Sequence, residues 1–231
     1  MTPAALIHRP VSPDPAVYPS VCEPLEEVGA AEPADAGAAL AFALERLVAG
    51  DDPRPWVLAS ASLWLRERGR PFARGLAFAG LKPERMIWVR AEKEEQALWA
   101  LEEALKSGAV AGGLATAERP AFVTTRRLEF AARAGNAKGL LLRAGPVGDL
   151  SAARRRWRIA ARPSAAADFD AAAPGAVRLK AELVRRRDGP PGCWELEQDD
   201  ETHRFAVVAR LAGHGMDETG SVERQSRVAA A

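Results

Sequence analysis

The sequence predicts an α/β fold with a mostly parallel sheet flanked by helices and a C-terminal antiparallel β-hairpin. Between Leu25 and Leu142, short apolar runs alternate with stretches whose apolar residues recur at helical spacing, as in chains that build a parallel sheet covered by helices. From Val177 to Gln198, two alternating runs flank a turn rich in glycine and proline, which is typical of a β-hairpin.

Composition indicates a soluble globular protein. The chain has 231 residues, of which 48% are hydrophobic and 27% charged, enough for one domain with a sizeable core. A formal net charge of +1 gives no overall attraction to nucleic acid, so any DNA contact needs a local patch. Cys22 and Cys193 form no CxxC pair, which argues against a zinc site. No apolar run approaches the roughly 20 residues that span a bilayer, and we expect a cytoplasmic protein.

The first predicted strand is Leu25–Val28, followed by a turn of small residues at Gly29–Ala34. Asp35–Val48 is predicted to be a helix because its leucines share one face, with Asp35 as N-cap and Gly50 as its stop.

The next strands and helices follow the same logic. Trp56–Ala59 is a short strand, and two helical pieces follow at Ser62–Arg68 and Phe72–Gly80. Met86–Val89 is a continuous apolar run, which predicts a strand covered on both faces.

The clearest helix is Glu94–Lys106, where Leu98, Leu101 and Leu105 form one stripe. The remaining elements of this half are a strand at Val110–Leu114, a helix at Thr124–Ala134 and a buried strand at Leu140–Leu142.

The character of the sequence changes after Gly148. Ser151–Arg156 is predicted to be a short helix, Trp157–Ala161 a strand and Pro163–Gly175 a loop. The hairpin strands are Val177–Arg186 and Cys193–Gln198, and Phe205–Leu211 adds a further strand.

We expect three parts along the chain. Residues 1–23 are proline-rich and aperiodic, which predicts a flexible N-terminal arm. Residues 24–211 form a single domain, of which about 176–211 are the hairpin extension. Residues 212–231 are polar, which predicts a disordered tail.

Four sequence blocks carry a family resemblance: LWALEEALKSGAV at 98–110, TRRL at 125–128, GLLLR at 139–143 and RWRIA at 156–160. In this order and spacing they resemble the bacterial ImuA proteins, and the similarity covers roughly residues 24–200. The resemblance implies a RecA-like core.

The resemblance also implies a function. ImuA-like proteins act with ImuB, an inactive relative of Y-family polymerases, and with an error-prone replicative-type DNA polymerase. The SOS response induces this set, which copies past damaged bases. The implied role is a non-catalytic accessory protein of translesion synthesis that binds ImuB, the polymerase and, as a further candidate, RecA.

RecA-like ATPases bind phosphate with the pattern GxxxxGK[ST] after the first strand. Aligned from Gly29, this pattern places Ala34 at the second glycine, Asp35 at the lysine and Ala36 at the magnesium-binding hydroxyl. A carboxylate at the start of a helix would repel phosphate from the anion site. The sequence therefore predicts a degenerate phosphate loop, no cofactor and no ATPase activity.

The acidic groups of such an ATPase are also missing. The magnesium-ordering aspartate would fall near Thr116. The catalytic glutamate would follow the second strand, where Ala59, Ser60 and Ala61 stand instead, and Glu67 is too far along the chain.

Two other interpretations stay open. SulA-type proteins are also RecA-like without a working phosphate loop, and they cap a filament-forming GTPase, so a cell-division inhibitor is one alternative. A divergent DNA-dependent ATPase is the other. It would need a phosphate-binding lysine from elsewhere, and Lys82, Lys93 and Lys106 have no glycine-rich context.

Basic residues give the candidate sites for contact with DNA or a partner. An aromatic residue stands among four arginines in one run, a composition that suits single-stranded DNA, although a solvated helix end with the tryptophan in the core is the plainer interpretation. The run is Arg154, Arg155, Arg156, Trp157 and Arg158. Arg126 and Arg127 begin a helix, where the dipole disfavours positive charge, which favours an outside partner.

A metal site at His203 with Asp199, Asp200 and Glu201 is less favoured than a solvated loop, because no second histidine is near.

Overall fold

The computed structural model describes residues 17–48, 52–78, 81–145, 147–167, 170–199, 201–202 and 204–211. The first part alternates strands and helices: β1 (Leu25–Ala30), α1 (Ala36–Val48), β2 (Trp56–Ala61), α2 (Ser62–Arg68), α3 (Ala73–Phe78), β3 (Met86–Ala91), α4 (Glu94–Lys106), β4 (Gly112–Ala117), α5 (Phe122–Ala134) and β5 (Lys138–Arg143). The second part consists of strands: β6 (Arg155–Arg162), β7 (Ala166–Ala167), β8 (Asp170–Pro174), β9 (Arg178–Arg186), β10 (Gly192–Gln198) and β11 (Phe205–Leu211).

Nine strands form one mixed sheet in the order β11-β10-β9-β6-β1-β5-β4-β2-β3. The six strands from β6 to β3 in this order run parallel to their neighbours. Strands β9, β10 and β11 extend the sheet beyond β6 by antiparallel pairing. Strands β7 and β8 form a separate two-stranded sheet. The predicted fold class, a mostly parallel sheet flanked by helices with antiparallel C-terminal strands, is confirmed.

The core lies on both faces of the sheet, because successive residues of a strand point to opposite sides. Helix α1 covers one face, where Phe42 and Leu47 pack with Leu140 and Trp157. Helices α4 and α5 cover the other, where Leu101 and Leu128 pack with their buried neighbours. These two layers stabilise the sheet, because burial of apolar surface contributes roughly 25 cal/mol for each Å² removed from water.

Three sequence predictions differ from the structure, although β3 itself lies where a strand was predicted. Met86–Val89 was predicted to be covered on both faces, but β3 is an edge strand on which Ile87 and Trp88 are 45% and 46% exposed. Ser151–Arg156 was predicted to be a helix, but residues 151–154 have no regular structure and Arg155 already belongs to β6. The predicted loop at Pro163–Gly175 contains the short strands β7 and β8.

The described part of the predicted arm packs against the domain. The Tyr18 ring lies 5.9 Å from that of Trp157 and 5.6 Å from that of Trp194, measured between centroids. Cys22 is buried, and burial raises the pKa of its thiol. Residues 1–16 and the predicted tail 212–231 lie outside the described residues. No helix in the described ranges is long and apolar enough to cross a membrane.

Candidate functional site

The segment between β1 and α1 stands where a phosphate loop would lie. A 3₁₀ turn at Pro33–Asp35 leads into α1. One carboxylate oxygen of Asp35, Oδ2, accepts a hydrogen bond from the backbone N–H of Glu32 at 3.1 Å. The other, Oδ1, accepts one from the backbone N–H of Ala161 at 2.8 Å. The aspartate at the lysine position therefore uses both oxygens to fix the turn and join it to β6.

The end of β1 is covered by the chain itself. A Cβ atom added to Gly29 would lie 2.5 Å from the carbonyl oxygen of Gly145 and 3.0 Å from Cγ1 of Val147. The segment that follows β5 therefore packs directly on Gly29. Because glycine has no side chain, the backbone of that segment can approach it closely.

The positions where the acidic groups of an ATPase would fall are occupied by other residues. Thr116 lies within β4 and is buried, and its hydroxyl has no hydrogen-bond partner in the described part of the chain. At the end of β2, Ser62 donates to the carbonyl oxygen of Ala91 at 3.0 Å. Glu67 pairs with Arg68 at 3.1 Å on α2.

The lysines named for an ATPase lie apart from the loop. Lys82, Lys93 and Lys106 are exposed and lie between the entry to β3 and the end of α4. They flank the elements at one edge of the sheet, whereas the loop joins β1, at its centre, to α1.

A cavity of about 460 Å³ opens beside the carboxyl ends of β4 and β5, the region where open α/β sheets bind ligands. Its main basic group, Arg143, is engaged: it donates to the Glu118 carbonyl oxygen at 2.7 Å and to Asp149 at 2.8 Å. This hydrogen bond lowers the pKa of the Asp149 carboxyl. Arg119 and Glu118 also line the cavity, so two basic and two acidic residues face it. The lining charges therefore largely neutralise one another.

Two glutamates are fully buried in β1, the strand in the middle of the nine-stranded sheet. Because Glu26 and Glu27 are adjacent in a strand, their side chains enter opposite layers. Burying an unpaired carboxylate is strongly unfavourable, so each must find cationic partners inside the protein.

Glu26 is held by Arg46 of α1 and Trp157 of β6. Its carboxylate accepts from Arg46 at 2.6 Å and 2.8 Å and from the Trp157 indole N–H at 2.8 Å. Burial by itself lowers the pKa of the Arg46 guanidinium, but the charge and hydrogen bonds of Glu26 raise it above its ordinary value. Arg46 also donates to the carbonyl oxygens of Pro19 and Val21, which fastens the N-terminal segment.

Glu27 is held from the opposite layer. It accepts from the Ser151 hydroxyl at 2.5 Å and from Arg156 at 3.0 Å, and Arg143 approaches to 3.5 Å. The same carboxylate thus fixes β5, β6 and the segment that connects them.

The arginine run at 154–158 takes part in this buried network. Trp157 is completely buried, as the plainer interpretation of the run predicted, but Arg155 and Arg156 are 5% and 4% exposed and belong to β6, so the predicted solvated helix end is wrong. Because these three side chains are inaccessible and bonded within the chain, they are not placed to contact DNA or a partner. Arg154 pairs with Glu23 at 2.7 Å, and the exposed Arg158 pairs with Glu182 at 2.8 Å.

The other predicted contact residues are at the surface. Arg126 and Arg127 are both exposed on α5. The Arg126 guanidinium lies 5.6 Å from the ring centroid of Phe130. Arg127 pairs with Glu102 of α4 at 2.7 Å. His203 and Asp200 of the proposed metal cluster lie outside the described residues.

Sequence reasoning missed the structural role of Glu26 and Glu27. The signal was present, since two glutamates interrupt an otherwise apolar strand. Their partners, however, are distant in sequence: Arg155 and Arg156 lie 129 positions away from Glu26 and Glu27.

Comparisons with known proteins give two kinds of similarity. No protein-family model matches the chain. The chain is 35% identical over 202 residues to Protein ImuA of Caulobacter vibrioides strains NA1000 / CB15N and ATCC 19089 / CB 15, covering 82% of this chain and 81% of the relative.

Two solved structures show weaker likeness. SulA from Pseudomonas aeruginosa is 25% identical, with a TM-score of 0.40 over 52% of this chain and 97% of that one. A DnaB-like replicative helicase is 16% identical, with a TM-score of 0.45 over 80% of this chain and 57% of that one.

The contact at Gly29 predicts a selective effect of adding one methyl group. Gly29→Ala should lower the free energy of unfolding by about 1–3 kcal/mol, because the methyl meets backbone that cannot rotate away. The control is Gly37→Ala on α1, where a Cβ meets nothing within 4 Å and helix propensity gains up to about 1 kcal/mol. Urea unfolding measures both. If Gly29→Ala and Gly37→Ala had the same free energy of unfolding, the close packing of the segment after β5 on Gly29 would be contradicted.

The buried pairing of Glu26 predicts a large loss on neutralisation. Glu26→Gln should lower the free energy of unfolding by about 3–5 kcal/mol, because Arg46 is left buried without its counter-charge. The matched control is Glu182→Gln, which removes a partly exposed pair with Arg158 and should change stability by less than about 1 kcal/mol. If urea unfolding gave Glu26→Gln and Glu182→Gln a similar loss in the free energy of unfolding, the structural role of the buried Glu26 pairing would be refuted.

Proposed function

The chain belongs to the ImuA family, and from that premise we propose that it is a non-catalytic accessory protein of SOS-induced translesion DNA synthesis. It acts by binding ImuB and an error-prone replicative-type DNA polymerase, with RecA as a further partner. The cytoplasm is the compartment of this activity.

The observation that carries the non-catalytic part of this proposal is the state of Asp35. Its carboxylate accepts backbone hydrogen bonds at the place where an ATPase needs a lysine and a phosphate. A second anion there would meet a fixed negative charge in place of a positive one. Gly29 adds to this, since the chain's own backbone covers it.

A binding role requires exposed surface, and the C-terminal strands offer one. β11 is the outermost strand of the sheet, and its Val207 and Val208 are 44% and 49% exposed. Within the described residues no further strand pairs with its outer edge. Extended segments of partner proteins commonly add to such an edge through main-chain hydrogen bonds.

Affinity capture of the cognate ImuB by the full chain tests the proposal. We expect recovery of ImuB at micromolar concentration, unchanged by added ATP, because no step depends on nucleotide. Asp35→Ala should bind as the wild type does. Val208→Pro, which disturbs the edge of β11, should weaken capture by at least about tenfold if this edge is the docking site.

Two outcomes would contradict this function. Failure to capture ImuB at micromolar concentration would remove its main support. Filamentation of cells on overproduction, with damage-induced mutation unchanged by deletion of the gene, would favour a cell-division inhibitor instead.

A further inference from the structure

The outer faces of α4 and α5 expose large apolar side chains. Trp99 on α4 is 60% exposed, and Val123 and Phe130 on α5 are 66% and 55% exposed. The inner faces of the same helices bury Leu101 and Leu128 completely. Each helix therefore carries a second apolar position facing outward, beyond what its own core requires.

The two helices carry opposite charges around these side chains. Glu95 and Glu103 are exposed on α4. Arg126 is exposed on α5 and has no carboxylate partner among the described residues. Lys106 is also exposed on α4 and lies 4.0 Å from Glu103, so the exposed charge is acidic on balance along α4 and basic along α5.

An ion pair within the chain fixes how the helices are aligned. α4 and α5 run in the same direction, because each connects consecutive parallel strands, β3 to β4 and β4 to β5. Glu102 pairs with Arg127 at 2.7 Å, so residues of α5 lie level with residues 25 positions earlier on α4. Because both α-helices rise by the same distance per residue, the offset of 25 positions holds along their length.

We propose that this face binds a second copy of the chain about a two-fold axis parallel to the helices. In this arrangement α4 of each copy lies on α5 of the other, and each contact occurs twice. The offset brings Trp99 level with Val123 of the second copy. It also brings Glu103 between the levels of Arg126 and Phe130, so that apolar groups meet apolar groups and acid meets base.

Charge complementarity favours a second copy of the chain over a nucleic acid or a partner of uniform charge. A nucleic acid would be attracted by α5 and repelled by the carboxylates of α4. A partner of uniform charge would match one helix and oppose the other. A second copy, turned by the two-fold axis, presents acid to base on both sides of the interface. The inference does not depend on the proposed function, and the purified chain alone suffices to test it.

Sedimentation equilibrium of the full chain tests dimerisation. The apparent mass should rise with concentration from 24.7 kDa towards twice that value. Trp99→Glu and Phe130→Glu should each raise the dissociation constant by at least about 30-fold, as expected for central aromatic contacts. The control is Leu63→Glu, an exposed leucine on α2, which should leave the dissociation constant unchanged.

A charge exchange tests the register. Arg126→Glu and Glu103→Arg should each weaken the dimer by about tenfold, and the double variant should restore it to within about threefold. Both changes suit the helix dipole, since the acid comes near the start of α5 and the base near the end of α4. Circular dichroism confirms that the variants are folded.

Three results would overturn the proposal. They are a mass that stays at 24.7 kDa at every concentration, a dimer that Trp99→Glu leaves unchanged, and a double charge variant as weak as the single ones. If the chain is a monomer and Trp99→Glu abolishes capture of ImuB, the face binds ImuB instead. If Trp99→Glu abolishes binding of a labelled oligonucleotide, the face binds nucleic acid instead.

Discussion

The burial of two adjacent carboxylates in the central strand is the constraint on which the rest of this fold depends. Glu26 and Glu27 enter opposite layers of the sheet, and neither reaches water. Arg46 neutralises the first from α1, and Arg156 the second from β6, with Arg143 of β5 close by. Both neighbouring strands and the covering helix are therefore bound to β1 by charge as well as by apolar packing.

The carboxyl end of the same strand shows the complementary feature. There the Asp35 carboxylate accepts hydrogen bonds from two backbone N–H groups, and the segment after β5 packs against Gly29. These internal contacts hold the strand, the turn and α1 together, and they support the proposal that this segment binds no nucleotide.

Local patterns in the sequence predicted much of this structure. Helix α4 has the predicted bounds, since its leucine stripe and terminal residues are local signals. The apolar run of β3 did not reveal an edge position, because neighbours in a sheet are set by topology. Nothing in the sequence indicated that Arg155 and Arg156 are buried, since Glu26 and Glu27 approach them only in the folded chain.

Calorimetric titration of the full chain with Mg·ATP tests most directly whether the loop has lost its phosphate site. We expect no saturable binding up to about 1 mM nucleotide, which corresponds to a binding free energy weaker than about −4 kcal/mol. Stoichiometric binding in the micromolar range would contradict it, above all if ATP were also hydrolysed and replacement of Lys82, Lys93 or Lys106 abolished the turnover.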